Sequence, residues 1–260
     1  MKKIFIAAIC LLAMLICGCA NESTPHDTLI IGVDDEFAPM TFRDENNNLV
    51  GFEVDLARET AKRMGVAIEF KKIDWNNKEN ELNAGNIDMI WNGMDITPER
   101  QEVMLFGKPY MDNRHIIAVA KNFNAEILSE SDLAGKIVGA KAGTTSEFYI
   151  IGNDELRNSL KEFKTYHDDA AAFQALKDGK IDAVVCDEIV VRYEMIKNSG
   201  AFKALEITIG PVHEMGVGFR KSDTELRDRV QAAFDEIVKD GTAKKISEKW
   251  FQADLIKYRR

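Results

Sequence analysis

The sequence predicts an α/β protein built from two similar lobes. Short β-rich runs alternate with helical patterns from about residue 29 to residue 250. The stretch Leu82 to Ile90 is echoed 94 residues later by Leu176 to Val184. The composition is that of a packed core: 45% of residues are hydrophobic, with 17 Gly and 5 Pro among 260. That excludes collagen, coiled coil and a disordered tail.

The elements follow in order. Leu29-Ile30-Ile31-Gly32-Val33 reads as a buried strand. Residues 53–64 read as a helix with Leu56, Ala57, Ala61 and Met64 on one face. Strands are expected at 67–71, 87–91, 115–120, 136–140, 181–186 and 205–209. Helices are expected at 168–177, 188–197, 225–239 and 243–250. This alternation points to mostly parallel sheets. Each copy of the echo is a helix end, a glycine C-cap (Gly85, Gly179) and a strand entry. Nothing recurs at a period of 20–50 residues, so the chain is not a solenoid. Two related lobes produce such an echo, and so does plain reuse of one loop. Ligands of open α/β sheets sit beyond the carboxyl ends of strands. That singles out Trp91-Asn92-Gly93-Met94-Asp95 and Cys186-Asp187-Glu188.

Met1 is followed by Lys2-Lys3 and an apolar run of 13 residues, Ile4 to Ile16. A bilayer core of roughly 30 Å needs about 20 residues. The run is too short to span, and residues 1–18 read as a signal peptide. The alternative, a buried helix, lacks a polar face. The segment ends Ile16-Cys17-Gly18-Cys19, which resembles the bacterial lipobox, with Cys19 as the lipidated residue and Cys17 unusual within the box. Residues 19–27 are then a lipidated N-terminus and polar tether. Cleavage also removes Cys10 and Cys17, so Cys186 remains without a disulfide partner and the fold rests on its core. Lys and Arg number 34 against 43 Asp and Glu, a net charge of −9. Such a balance argues against nucleic acid as a partner, because phosphate binding needs basic stripes.

Catalytic signatures are weak. The four histidines, His26, His115, His167 and His213, form no i, i+4 pair, and there is no HExxH, CxxC or GxSxG. Neither a metal nor a cofactor is expected. The stretch Gly139 to Thr145 lacks the GK[ST] ending of a phosphate-binding loop, and Gly216-Val217-Gly218 reads as structural.

Binding candidates are stronger. Thr97 as N-cap and Pro98 at the first helical position put Arg100 in the first turn of a helix. A cation is disfavoured there, so Arg100 is either held for an anion, which its guanidinium suits, or lies exposed. Gly143-Thr144-Thr145-Ser146 offers N–H groups and hydroxyls to the same anion, or simply caps a helix. Asp187 follows a strand, where a carboxylate can meet an ammonium. Phe37 and Trp75 lie in loops, as walls of a pocket or as core. Carboxylate clamp, ammonium partner and aromatic walls together complement an α-amino acid zwitterion.

These residues carry a family resemblance. Gly51-Phe52-Glu53-Val54-Asp55-Leu56 is similar to the G-F-[DE]-x-D-L motif of the extracellular solute-binding proteins of polar amino acid ABC transporters. That is family 3, which includes glutamine- and histidine-binding proteins. Ile96-Thr97-Pro98-Glu99-Arg100, Gly143-Thr144-Thr145, Cys186-Asp187-Glu188, residues 216–221 and residues 240–251 agree in order and spacing, and the resemblance runs from Leu29 to Phe251. Thr60 stands where the family prefers an apolar residue.

The resemblance implies a two-lobed periplasmic-binding-protein type II fold whose lobes are joined by two hinge strands. Lobe 1 would take residues 28–110 and 213–260, lobe 2 residues 111–212. It implies that Arg100 holds a ligand α-carboxylate, helped by Thr145 and the Gly93 backbone, and that Asp187 holds the α-ammonium. Phe37 and Trp75 would sandwich the ligand side chain, with Asp34 and Lys141 facing it. A primary amide suits an acceptor and a donor, so glutamine is the first ligand expected, unless Asp34 and Lys141 pair with each other. A lysine in the pocket opposes basic ligands. Asp95 stands where the family usually has Thr or Ser, and Cys186 where glutamine-binding relatives have His. Asp95 can retune the site toward a more cationic ligand.

The implied partners are an amino acid, a separate ABC permease and ATPase, and the membrane through a lipid anchor, with the protein itself monomeric and extracytoplasmic. Two alternatives stand beside transport. One is an enzyme on the same scaffold, like cyclohexadienyl dehydratases, with Asp95 or Glu188 as acid or base. The other is a ligand-sensing lipoprotein.

Overall fold

The structure is a computed structural model and describes residues 28–257. The expected signal peptide, Cys19 and the tether to residue 27 lie outside the described residues.

The first sheet begins with β1 (Leu29–Val33), and a small three-stranded sheet follows, β2 (Glu36–Phe37), β3 (Thr41–Arg43) and β4 (Leu49–Val50). Helix α1 (Phe52–Met64) buries Phe52, Val54, Leu56 and Ala57, carries Glu53 and Asp55 in its first turn and Lys62 and Arg63 in its last, and stops at left-handed Gly65. Then come β5 (Ile68–Lys72), a 3₁₀ turn Trp75–Asn77, α2 (Lys78–Asn83), β6 (Met89–Ile90), α3 (Pro98–Val103) and β7 (Met104–Phe106).

The chain next crosses to a second sheet with β8 (Met111–Ala120), β9 (Ile137–Lys141), α4 (Thr145–Gly152), α5 (Asp154–Ser159), β10 (Glu162–Tyr166), α6 (Asp169–Lys177), β11 (Ala183–Asp187), α7 (Glu188–Lys197) and β12 (Phe202–Met215). It returns through β13 (Gly218–Arg220), α8 (Thr224–Lys239) and α9 (Thr242–Phe251).

The two five-stranded sheets have orders β5-β1-β6-β13-β7 and β10-β9-β11-β8-β12. They share one plan. The lobe's leading parallel strand, β1 or β9, lies between two parallel partners, and two further strands add on antiparallel. The sheets are therefore mixed, three parallel strands and an antiparallel tail, where the strand–helix alternation suggested mostly parallel ones. The crossings explain the difference: a strand that enters from the other lobe has no βαβ connection to force it parallel.

The sequence echo falls at the same place in both sheets. Gly85 and Gly179 are both left-handed, at φ 74° and 68°. Asp88 then exchanges two bonds with Ile30: its N–H donates to the Ile30 carbonyl at 2.7 Å, and its carboxylate accepts the Ile30 N–H at 2.8 Å. Asp182 does the same with Ile137, both at 2.7 Å. The repeated Ile-Asp is a clamp between a lobe's third strand and the start of its first.

Several elements were not legible in advance: β2 to β4, β7, β10, α2 and α5. Each is six residues or shorter, too short to show a clear period. β12 runs far beyond 205–209 because it pairs with β8 on both sides of two register shifts.

Candidate functional site

The carboxyl ends of the central strands of both sheets converge on one point. Asp34 follows β1, Asn92 and Gly93 follow β6, Lys141 ends β9 and Asp187 ends β11. Between them lies a cavity of about 20 Å³ lined by Phe37, Trp75, Asn92, Gly93, Asp95, Arg100, Lys141, Thr144, Thr145 and Asp187. All the pocket residues expected from the sequence meet here except Asp34, which stands behind Lys141 and is bonded to it.

Arg100 is buried, not on the surface. Thr97 caps its helix by accepting the Arg100 N–H, with Pro98 at the first position. Its guanidinium donates to the Asp95 carbonyl at 2.9 Å and forms no ion pair with a carboxylate among the described residues. Burial, against nearby carboxylate charge, lowers its pKa. A buried guanidinium with donors to spare is a receptor for a planar anion.

Facing it is a polar cluster hung on β8. Asn113 and His115, two residues apart, point the same way. The Asn113 amide donates to Asp95 at 2.9 Å and to Asp187 at 2.7 Å. His115 Nε2 lies 3.3 Å from Asp187 and 3.0 Å from the Thr145 hydroxyl, which donates to Asp95. Burial works against a charge on His115, but Asp187 and Asp95 outweigh it and raise its pKa. Burial likewise works against a charged Asp187, and the His115 bond and charge outweigh it, so Asp187 stays ionised more readily than usual. Asp95 goes the other way: burial and the charge of Asp187 raise it. These three residues bring ligand atoms within 4.8 Å of one another, as do Glu36, His167 and Asp168. In the first group Asp95 and Asp187 share the Asn113 amide, and His115 Nε2 faces Asp187 and the Thr145 hydroxyl.

Asp34 and Lys141 form an ion pair across the cleft. The Lys141 ammonium also lies 5.4 Å from the centre of the Phe37 ring and 3.9 Å from Asp169. Lys78 adds a second buried ammonium, donating to the Trp75 carbonyl at 3.0 Å, and burial lowers its pKa to about 8. Phe37 packs on Gly93, and Trp75 borders Gly143.

Two expectations need revision. The Gly93 N–H is not free to help hold a carboxylate, because it donates to both oxygens of Glu53, at 2.8 and 2.9 Å. What Gly93 has left is a carbonyl, an acceptor that suits an ammonium. The Thr144 hydroxyl accepts the Glu147 N–H at 3.3 Å and donates to the Lys141 carbonyl at 2.7 Å, so it serves as the cap of α4. Glu188 lies outside the pocket. Arg114 grips it at 2.5 and 2.9 Å and Arg192 at 2.6 Å. It borders a larger apolar groove of about 720 Å³ between α7 and α9.

Sequence reasoning missed Glu53, Asn113, His115 and Asp169 as parts of the site. Asn113 and His115 left one trace, the polar run Asp112 to His115 just before the apolar Ile116 to Ala120.

The family of bacterial extracellular solute-binding proteins, family 3, matches the chain over residues 29–253. The chain is 32% identical over 242 residues to the L-cystine-binding protein TcyJ of Escherichia coli, covering 92% of this chain and 88% of that one. The solved structure of an ABC uptake transporter substrate-binding protein from Streptococcus pneumoniae with bound histidine superposes with a TM-score of 0.84 at 32% identity, over 89% of this chain and 95% of that one. An ancestral arginine-binding protein bound to glutamine gives 0.79 at 38% identity, over 86% and 97%.

Proposed function

Because the chain belongs to the bacterial extracellular solute-binding proteins of family 3, we propose that it captures a polar α-amino acid outside the cytoplasm and delivers it to a separate ABC permease and ATPase. The observation that carries this reading is the buried Arg100, without a carboxylate of its own, facing the Asp95–Asn113–Asp187 cluster across a cavity walled by Phe37 and Trp75. Arg100 takes the α-carboxylate. Asp187 takes the α-ammonium, with Asp95 and the Gly93 carbonyl beside it. Relatives that bind cystine, histidine and glutamine support an amino acid and leave its side chain open. Glutamine is the first candidate: the Asp34–Lys141 pair offers one acceptor and one donor to an amide once a ligand parts it.

A cavity of about 20 Å³ holds about one water. Binding therefore requires the lobes to part and close again, a hinge motion that ligand contacts drive toward closure. We assign residues 28–110 with 213–260 to one lobe and 111–212 to the other. We assign residues 1–18 to a signal peptide and Cys19 to a lipid anchor holding a monomer at the membrane. Among the described residues no helix is long and apolar enough to cross a membrane. We read the site as a binder, not an enzyme, because Glu188 is tied up outside it, Asp95 is held by Asn113 and Thr145, and the ammonium receptor is intact.

A thermal-shift panel of amino acids, prephenate included, tests the reading on protein stripped of ligand by unfolding and refolding. A ligand at 1,000 times its Kd adds about 4 kcal/mol. A large shift with one polar amino acid, absent in Arg100→Ala, supports transport binding. A shift with prephenate alone overturns it.

A further inference from the structure

Asp169 opens α6 and is buried, yet its carboxylate has no hydrogen bond among the described residues. It lies 3.9 Å from the Lys141 ammonium. Lys141 is equally buried and is bonded to Asp34. The two carboxylates belong to opposite lobes. Asp169 heads a helix packed on β9 and β11, the sheet of Lys141 itself, whereas Asp34 follows β1 in the other sheet. One ammonium thus stands between a counterion that moves with it and a counterion that approaches only on closure.

That asymmetry gives Asp169 a task. If Asp34 were the sole partner, a ligand reaching for Asp34 would strand a buried ammonium, which is costly. With Asp169 in place, Lys141 keeps a counterion while Asp34 turns to the ligand. The charge count then sets selectivity. Two carboxylates share the one ammonium of Lys141, and the other buried ammonium, Lys78, lies 3.5 Å from its own carboxylate, Glu79, so this end of the cavity carries an excess negative charge. A side chain that donates hydrogen bonds is accepted, and a side-chain carboxylate meets like charge.

Resting on the amino-acid-binding function proposed above, we infer that Asp169 is a positioning residue that holds Lys141 so that the side-chain end of the site selects donor-bearing amino acids over acidic ones. The groups facing it agree. Burial, opposed by Lys141 and reinforced by the charges of Asp187, Asp34 and Asp168, pushes the Asp169 carboxyl up to about 7. The neighbouring Cys186 thiol, itself pushed up by burial, stays neutral. The excess charge is therefore present above neutral pH and fades below it.

Calorimetric titration of the purified protein with glutamine, arginine, glutamate and alanine tests this. Alanine reads the α-carboxylate and α-ammonium contacts alone. In the wild type, the tighter of glutamine and arginine should bind at least tenfold better than glutamate at pH 8, and by a smaller ratio at pH 6. Asp169→Asn should shrink the pH 8 ratio by tenfold or more and abolish its pH dependence, with alanine affinity unchanged within twofold. An unchanged ratio, or a proportional loss of alanine binding, overturns the inference and leaves the amino-acid-binding function standing. If the wild type binds none of the four, the inference falls, and the amino-acid-binding function falls with it only if no other amino acid of the thermal-shift panel binds.

Discussion

The Glu53 carboxylate accepts the Gly93 N–H through both of its oxygens, at 2.8 and 2.9 Å, across 40 residues of sequence. Tyr110 closes the same arrangement by donating its hydroxyl to Glu53. The acid of the G-F-E motif thus faces inward, where it fixes the backbone at the pocket wall. Its carboxyl, lifted mainly by burial from 4.5 to about 7, keeps its proton in the fold at pH values where the unfolded chain has lost it. The group therefore costs nothing below about pH 4.5, and a penalty grows to about 3 kcal/mol as pH rises to 7. Glu53→Gln, neutral throughout, should flatten this part of the profile of Tm against pH. An identical profile in the variant would contradict the assignment.

Arg100→Met should weaken amino acid binding by roughly 10²- to 10³-fold, the cost of removing a charged partner from a buried hydrogen-bonded pair. Its effect on the ligand-free protein should be small, about 1 kcal/mol or less, because the guanidinium gives up one bond to a carbonyl and no ion pair. Calorimetry and thermal melts on the same samples separate the two effects.

The Asp34–Lys141 pair should behave as a cross-cleft latch. Lys141→Met leaves Asp34 and Asp169 without their shared cation and should destabilise the closed form by about 3 kcal/mol. Combining it with Asp34→Asn should restore much of the loss. Small-angle scattering of the three variants would register the shift toward the open form, and additive effects would argue against coupling.

Gly93 sits at φ 54°, and a Cβ there would come within 2.4 Å of Phe37 Cε1. Gly93→Ala pays for a left-handed backbone and displaces an aromatic wall, so a loss of about 1–2 kcal/mol in stability is expected. Ligand affinity should fall with it. Phe37→Leu in the same background should recover part of the stability by vacating the contact.

Asp88→Ala and Asp182→Ala should each cost about 1–3 kcal/mol, since each strands a strand-opening N–H, of Ile30 or Ile137. Neither residue lines the pocket, so Kd should stay within about twofold. Chemical denaturation with parallel titrations checks both halves of this expectation.

Local signals carried much of this protein. The periods of α1, α8 and α9, the capped turn that places Arg100, and the glycine–Ile–Asp echo are set by neighbours a few residues apart, so a linear reading finds them. The small sheet β2 to β4 and the strand β7 escaped because runs of two or three residues have no period to detect.

The pocket divides along the same line. Phe37, Trp75, Arg100, Lys141 and Asp187 announce themselves by residue type and by position beyond strand ends. Which groups are spoken for was decided only by contacts distant in sequence. Gly93 lost its N–H to Glu53, Thr145 gave its hydroxyl to Asp95, Asn113 bridged two carboxylates, and Lys141 acquired two counterions. Chain order therefore determines the elements, the caps and the charged residues at the strand ends. Burial and long-range pairing decide which of those charges remain available to a ligand, because a buried polar group is satisfied by whatever the fold brings within reach, however distant in sequence.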